Sequence, residues 1–217
     1  MAGVTGGPLA DGVAVRVSAL CLDSQGRLSD LLIASAAVRA GLLLDLALAG
    51  RVTQTDDAVE IDAEPTGFPP ADRLLAAVVA EPGRPLDGWL DERRLGLADL
   101  AAANEASGRW VRRRQLLRRD RYVDRAADQT RRDLARSPEV GGVGLTAQDA
   151  AVTAVAAAAG LLDRRRGEPD EPSPGLLAAT GDVRWLADHV TGHVTAACWR
   201  YRAQSMGLRV SGTVGPG

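Results

Sequence analysis

The chain has 217 residues, 46% of them hydrophobic and 25% charged, with a formal net charge of −2. That length and composition fit one globular domain with a sizeable core and exclude a fibrous or disordered chain, while near-neutrality by itself points to no partner. Two cysteines, Cys21 and Cys198, exclude a disulfide framework and match no zinc spacing, and the N-terminal residues lack the basic and apolar regions of a signal peptide, so a reducing, cytoplasmic setting is expected.

Residues 1–10 read as a disordered leader. Asp11 can cap a short helix through Leu22, with Val13, Val17 and Leu20 on one face, and Ser24–Gly26 make a turn. From Leu28 to Val52 runs the stretch around which the rest is organised: a long apolar helix with Ser29 or Asp30 at its start and Gly50 just past its end. Its run from Leu31 to Ala49 has the length of a membrane span. Arg39 at its centre and Asp45 near its end each oppose insertion by roughly 2.5–3.5 kcal/mol, so it is read as the buried centre of a helical bundle. A guanidinium on such a helix needs a partner or a route to water.

Arg51–Thr55 and Val59–Asp62 read as a small β-hairpin. Helices are expected over Pro70–Ala80 and Pro85–Arg93, and a longer one starts at Leu97 and becomes progressively basic through Arg119. A further helix is expected over Ala126–Arg136, then a glycine hinge at Gly141–Gly144 without the lysine of a phosphate-binding loop. Thr146–Leu162 is an alanine-rich helix with Asp149 at the capping-box position. Gly167–Gly175 reads as an exposed linker, Asp182–Met206 as the last helix, and residues 208–217 as a disordered tail. The fold expected is therefore mainly α: a single-domain helical bundle over residues 11–207 around a central hydrophobic helix, with one small β-hairpin.

All 26 basic residues are arginine, which with the abundant alanine points to a GC-rich bacterial source. Between Arg109 and Arg136 there are eleven arginines against four aspartates, a local +7; the other 15 arginines meet 24 acids, leaving −9 elsewhere. Arg112, Arg113, Arg114, Arg118 and Arg119 outnumber the carboxylates within helical reach, so this segment is either a solvated face or an anion-binding surface, for which the guanidinium fork suits phosphate. Trp110 and Tyr122 among these arginines suit a nucleic acid or a membrane interface, and the acidic remainder argues against nucleic acid. His189 and His193, four apart, could share a metal, but Val190 stands where a zinc protease has its glutamate and a third ligand is lacking, so packing is the expected role. No nucleophile elbow, phosphate loop or dinucleotide fingerprint is present, and no cofactor or catalytic site is expected.

Three stretches together resemble the Golgi phosphoprotein 3 family, which has many actinobacterial members: AGLLLDLALAGRV at Ala40–Val52, EPTGFPPADRLLAAV at Glu64–Val78 after the hairpin, and the tryptophan-bearing segment Pro85–Glu92. The likeness runs from about Val13 to Leu162. It implies a helical fold with no catalytic chemistry and a peripheral role on the cytoplasmic face of a membrane. Eukaryotic members bind phosphatidylinositol 4-phosphate and act as adaptors for glycosyltransferases, so anionic phospholipid and membrane-protein or enzyme clients are the partners implied. The family's head-group pocket uses a tryptophan and an arginine on the central helix and two arginines on a basic helix. Arg39 and Arg109 fall on two of these positions, Asp30 and Ala106 on the others, and Arg112 lies one turn further on. The family's membrane-inserting hairpin is expected to be shortened, with Tyr122–Ala127 passing straight into the next helix. The alternative implied by Asp30 and Ala106 is a soluble protein-interaction module of the same fold without lipid binding.

Overall fold

The computed structural model describes residues 8–28, 31–55, 58–116, 119–124, 144–162 and 168–210. Its helices are α1 (Val13–Leu20), α2 (Leu31–Leu48), α3 (Pro69–Ala80), α4 (Leu86–Leu90), α5 (Leu97–Ala106), α6 (Ala147–Ala158), α7 (Pro174–Ala178) and α8 (Arg184–Val210). Four strands, β1 (Val52–Gln54), β2 (Val59–Ile61), β3 (Trp110–Arg113) and β4 (Arg121–Asp124), form two separate antiparallel hairpins.

The central-helix expectation holds. Leu42, Leu43, Leu44 and Leu46 of α2 have no exposed surface, and α1, α5, α6 and α8 pack around them. Each such leucine contributes roughly 1.5–3 kcal/mol of burial. Small residues let the backbones come close: a Cβ on Gly41 would stand 2.7 Å from Ala14 Cα, so α1 and α2 touch through main chain there. The alanines of α6 do the same service, nearly all of them buried. Arg16 of α1 pairs with Asp149 of α6 at 2.7 Å.

The ends of α2 follow from local chemistry. Gly50 (φ +72°) lets Arg51 N–H bond Leu46 O at 2.8 Å and Gly50 N–H bond Ala47 O at 2.9 Å, a Schellman ending at the glycine the sequence marks. The start of α1 is held from afar. Asp45, on α2, accepts from Val13 N at 2.6 Å and Ala14 N at 3.0 Å, and only Gly12 leaves room for it, since a Cβ there would lie 2.4 Å from its carboxylate. The Pro-Thr-Gly loop serves α3: Asp72 in its first turn accepts from Thr66 Oγ1 at 2.7 Å and Gly67 N at 3.1 Å.

Three expectations are corrected. The basic helix ends at Ala106, because Gly108 (φ +73°) turns the chain left-handed just after Ser107. The next element is not helix but the hairpin β3–β4, paired Trp110↔Asp124 through Arg113↔Arg121, so the described residues hold two hairpins rather than one, and Tyr122–Asp124 belong to a strand. Aromatic and β-branched residues at Trp110, Val111, Tyr122 and Val123 favour that strand pair over the helix suggested by arginine spacing. The helix expected from Pro85 to Arg93 is only the five residues of α4. The helix expected over Ala126–Arg136, and all of the hinge but Gly144, lie outside the described residues. At the edges of the domain, Leu9 is buried against the core, and Ser173 in the expected linker caps α7 through a 3.2 Å bond from Leu176 N.

Candidate functional site

Arg39 is buried, with 8% of its surface exposed. Its Nε donates to Leu90 O and its Nη1 to Leu95 O at 2.8 Å, so it closes the last turn of α4 and the connection to α5. One turn earlier on α2, Ser35 Oγ accepts from Leu97 N at 3.2 Å. Ser35 and Arg39 thus form one polar stripe that clips residues 90–97 to the central helix. Burial pulls the Arg39 guanidinium below its ordinary range, and the carboxylates of Asp91 and Glu92 act against that.

Arg109 has different partners. Its Nη1 lies 2.5 Å from Asp11 Oδ1, and its Nε 3.9 Å from the buried carboxylate of Asp124, tying the base of the second hairpin to the residues before α1. Arg112 holds Asp120 across the hairpin (Nη2–Oδ2 2.5 Å, Nε–Oδ2 2.7 Å) and stands 3.9 Å from Glu105. That fork raises the Arg112 guanidinium and lowers the Asp120 carboxyl relative to their ordinary ranges. The three arginines placed in a head-group pocket by resemblance therefore have no partner residue in common. Asp30 and Arg118 lie outside the described residues, and Ala106 is exposed at the end of α5.

The hairpin itself has the features of a contact surface. Trp110, expected on the basic surface, is instead its root: it is 1% exposed, packed with Ala19, Leu22 and Ala101, its ring 5.4 Å from that of Tyr122. Next along, Val111 and Val123 are cross-strand partners, both about 40% exposed. Beyond them Leu116 is fully exposed, with Arg113, Arg114 and Arg119 exposed beside it. The sequence signal for this was present in Gly108 and the alternation Trp110-Val111, but the arginine density masked it.

The hairpin has a definite direction. α1 runs antiparallel to α2, since Val13 and Ala14 meet Asp45 and the residues after α1 lead back to the start of α2. Asp124 lies beside Arg109, whose other partner precedes α1, whereas Tyr122 N bonds Gly26 O at 2.7 Å, after α1. The hairpin is therefore rooted on the end of α1, through Trp110 on Ala19 and Leu22, and leads from there past Gly26, at the end of the bundle where α2 begins. Arg93 and Arg94 are exposed ahead of Gly96, which sits against Ser35 in the first turns of α2. Arginines thus gather at this end of the bundle. At the other end, Ala47, Leu48, Thr53, Asp182 and Trp185 line an open cleft of about 670 Å³.

His189 and His193 gain carboxylate neighbours from α4: His189 Nε2 is 2.9 Å from Asp87 Oδ1, and His193 Nε2 is 3.1 Å from Asp91 Oδ1. Asp87 and Asp91 meet opposite edges of the His193 ring, with Asp87 3.3 Å from Nδ1. Among the described residues no group of three or more His, Cys, Asp and Glu side chains is placed to hold a metal. The four side chains clasp α4 to α8. Among the described residues, no helix is long and apolar enough to cross a membrane.

The family model described as Golgi phosphoprotein 3 (GPP34) matches residues 19–196, past the Leu162 limit expected from the sequence and into α8. Comparison with curated proteins gives no match.

Proposed function

Since this chain belongs to the Golgi phosphoprotein 3 family, we propose that it is a non-enzymatic peripheral membrane protein that docks on anionic phospholipid through the β3–β4 hairpin. The observation that carries this reading is the fully exposed Leu116 at the tip of a hairpin whose open face holds Val111 and Val123 among Arg113, Arg114 and Arg119. Leu116 enters the head-group boundary, where an apolar side chain leaves water. The arginines stay at phosphate level, each adding about 1 kcal/mol near an acidic surface. Their forks suit phosphorylated head groups, so affinity rises with head-group charge, and a phosphatidylinositol phosphate is the favoured ligand class. Trp110 anchors the hairpin, Arg109 and Arg112 position it through their carboxylate partners, and Arg39 braces residues 90–97 against the central helix. Membrane-held proteins or enzymes are the clients such a docked bundle would serve.

Co-sedimentation with vesicles tests this. The protein pellets with phosphatidylcholine vesicles containing phosphatidylglycerol or phosphatidylinositol 4-phosphate and not with phosphatidylcholine alone, and salt weakens the binding. Leu116→Glu or Arg113→Glu with Arg114→Glu removes it at unchanged thermal stability. Equal absence of binding to acidic and neutral vesicles, together with a stoichiometric protein partner, would make the chain a soluble interaction module instead.

A further inference from the structure

The last helix does not end with the core it helps to build. Its first turn lies beside the end of α2, where Val183 and Trp185 share a cleft with Ala47 and Leu48. Its middle lies beside the centre of α2, because His193 bonds Asp91, next to the Leu90 carbonyl that holds Arg39. α8 is thus antiparallel to α2 and heads for the same end of the bundle as the hairpin tip. Cys198 is its last buried side chain among those described, and the helix backbone continues to Val210, about 18 Å further at 1.5 Å per residue.

The first residues beyond Cys198 have a distinct chemistry. Trp199 is 51% exposed, and the Arg202 guanidinium lies over its ring, 5.9 Å from the centroid. Arg200 is exposed beside it, and Tyr201 is half-buried. From His189 to the C-terminus the sequence has Arg200, Arg202 and Arg209 and no aspartate or glutamate, in a chain with 28 acids. A large indole left in water next to cations, on an arm with no carboxylate, suits a phospholipid interface, where tryptophan settles at the head groups and arginine reaches phosphate.

We infer that the C-terminal half of α8, led by Trp199, Arg200 and Arg202, is a second contact with the acidic bilayer, beside the hairpin at the same end of the bundle. The inference rests on the membrane reading of the hairpin and adds what one contact cannot supply, a fixed orientation. Two separated contacts hold the bundle with the start of α2 towards the membrane and the Trp185 cleft away from it. Positive charge on the arm is complementary to phosphatidylglycerol or phosphatidylinositol, and the exposed indole beside it favours the lipid interface over the acidic remainder of a second copy, which the test below separates.

The positions of the four tryptophans make the test direct. Trp89 and Trp110 are buried, and Trp185 is half-buried at the far end, which leaves Trp199 as the indole that acyl-chain bromines should reach. With vesicles of phosphatidylglycerol and bromine-labelled phosphatidylcholine, the wild-type fluorescence is quenched, and Trp199→Phe removes most of that quenching. Arg202→Gln weakens vesicle partitioning about fivefold, as expected for one arginine at an acidic surface. Binding retained without quenching, or quenching unchanged in Trp199→Phe, overturns this inference and leaves the hairpin reading intact. Quenching of Trp199 with binding indifferent to Leu116→Glu does the reverse, and no vesicle binding by the wild type ends both. A change of sedimentation mass in Trp199→Ser would assign the arm to self-association and also overturn it.

Discussion

Replacing Arg39 by methionine separates a ligand from a strut. Methionine keeps much of the aliphatic stem, so little packing is lost, but the two buried carbonyls of Leu90 and Leu95 lose their donors. Each unsatisfied carbonyl costs about 1–3 kcal/mol. Against that stands relief from burying a guanidinium, which lowers the Arg39 pKa and is worth several kcal/mol in the opposite sense. Because the charge is paired with helix-end carbonyls and faces Asp91 and Glu92, the loss dominates, and a net destabilisation of about 2–4 kcal/mol is expected. For a chain of this size that lowers Tm by about 4–16 °C. Urea unfolding should show a lower midpoint at unchanged slope. The wild type and Arg39→Met, compared below the variant's transition, should bind acidic vesicles equally. A variant with unaltered midpoint and lost vesicle binding would refute the argument and restore Arg39 as a head-group ligand.

Burial pushes the Asp45 carboxyl up to about 7. A folded value above the unfolded 3.8 means that its contribution to stability is full below about pH 4 and is lost as pH rises towards 7, by at most about 4 kcal/mol; Asp45→Asn removes this part of the pH dependence, read as the wild-type-minus-variant difference in urea midpoints across that window. Gly41→Val would drive a side chain into the Ala14 backbone, and soluble expression with native circular dichroism at unchanged Tm would contradict the close crossing. Gly50→Ala has open space around it but keeps a positive φ, so it costs only about 1–2 kcal/mol by thermal unfolding. Trp110→Ala costs about 3–5 kcal/mol and frees the hairpin, so protease nicking between Gly108 and Asp124 should appear before global unfolding.

What could be read in the sequence was what the chain decides locally. The apolar run of α2, the glycine that ends it, the first hairpin, α3 with its prolines and the Thr146 cap of α6 each depend on residues within one or two turns. The second hairpin is also local, but its arginines recur at intervals that imitate a helix surface, and the left-handed Gly108 outweighs that pattern. The site residues depend on distant pairings. Arg39 is satisfied by carbonyls 51 and 56 residues away, and His189 by a carboxylate 102 residues away, so their partners could not be inferred from spacing. Arg109 and Arg112 look alike in the sequence, yet Arg109, just before β3, is fastened to Asp11 ahead of α1, whereas Arg112, on β3, reaches across the hairpin to Asp120.

The carboxylate of Asp45 at the start of α1 has a consequence for the order of events during synthesis. α1 has only eight residues, too few for a stable isolated helix, and its first two amides are held by a residue 31 and 32 positions later. When α1 leaves the ribosome its cap does not yet exist, and it stays uncommitted until the far end of α2 has emerged. The two helices are then expected to form in one step, and a chain ending before Asp45 holds neither.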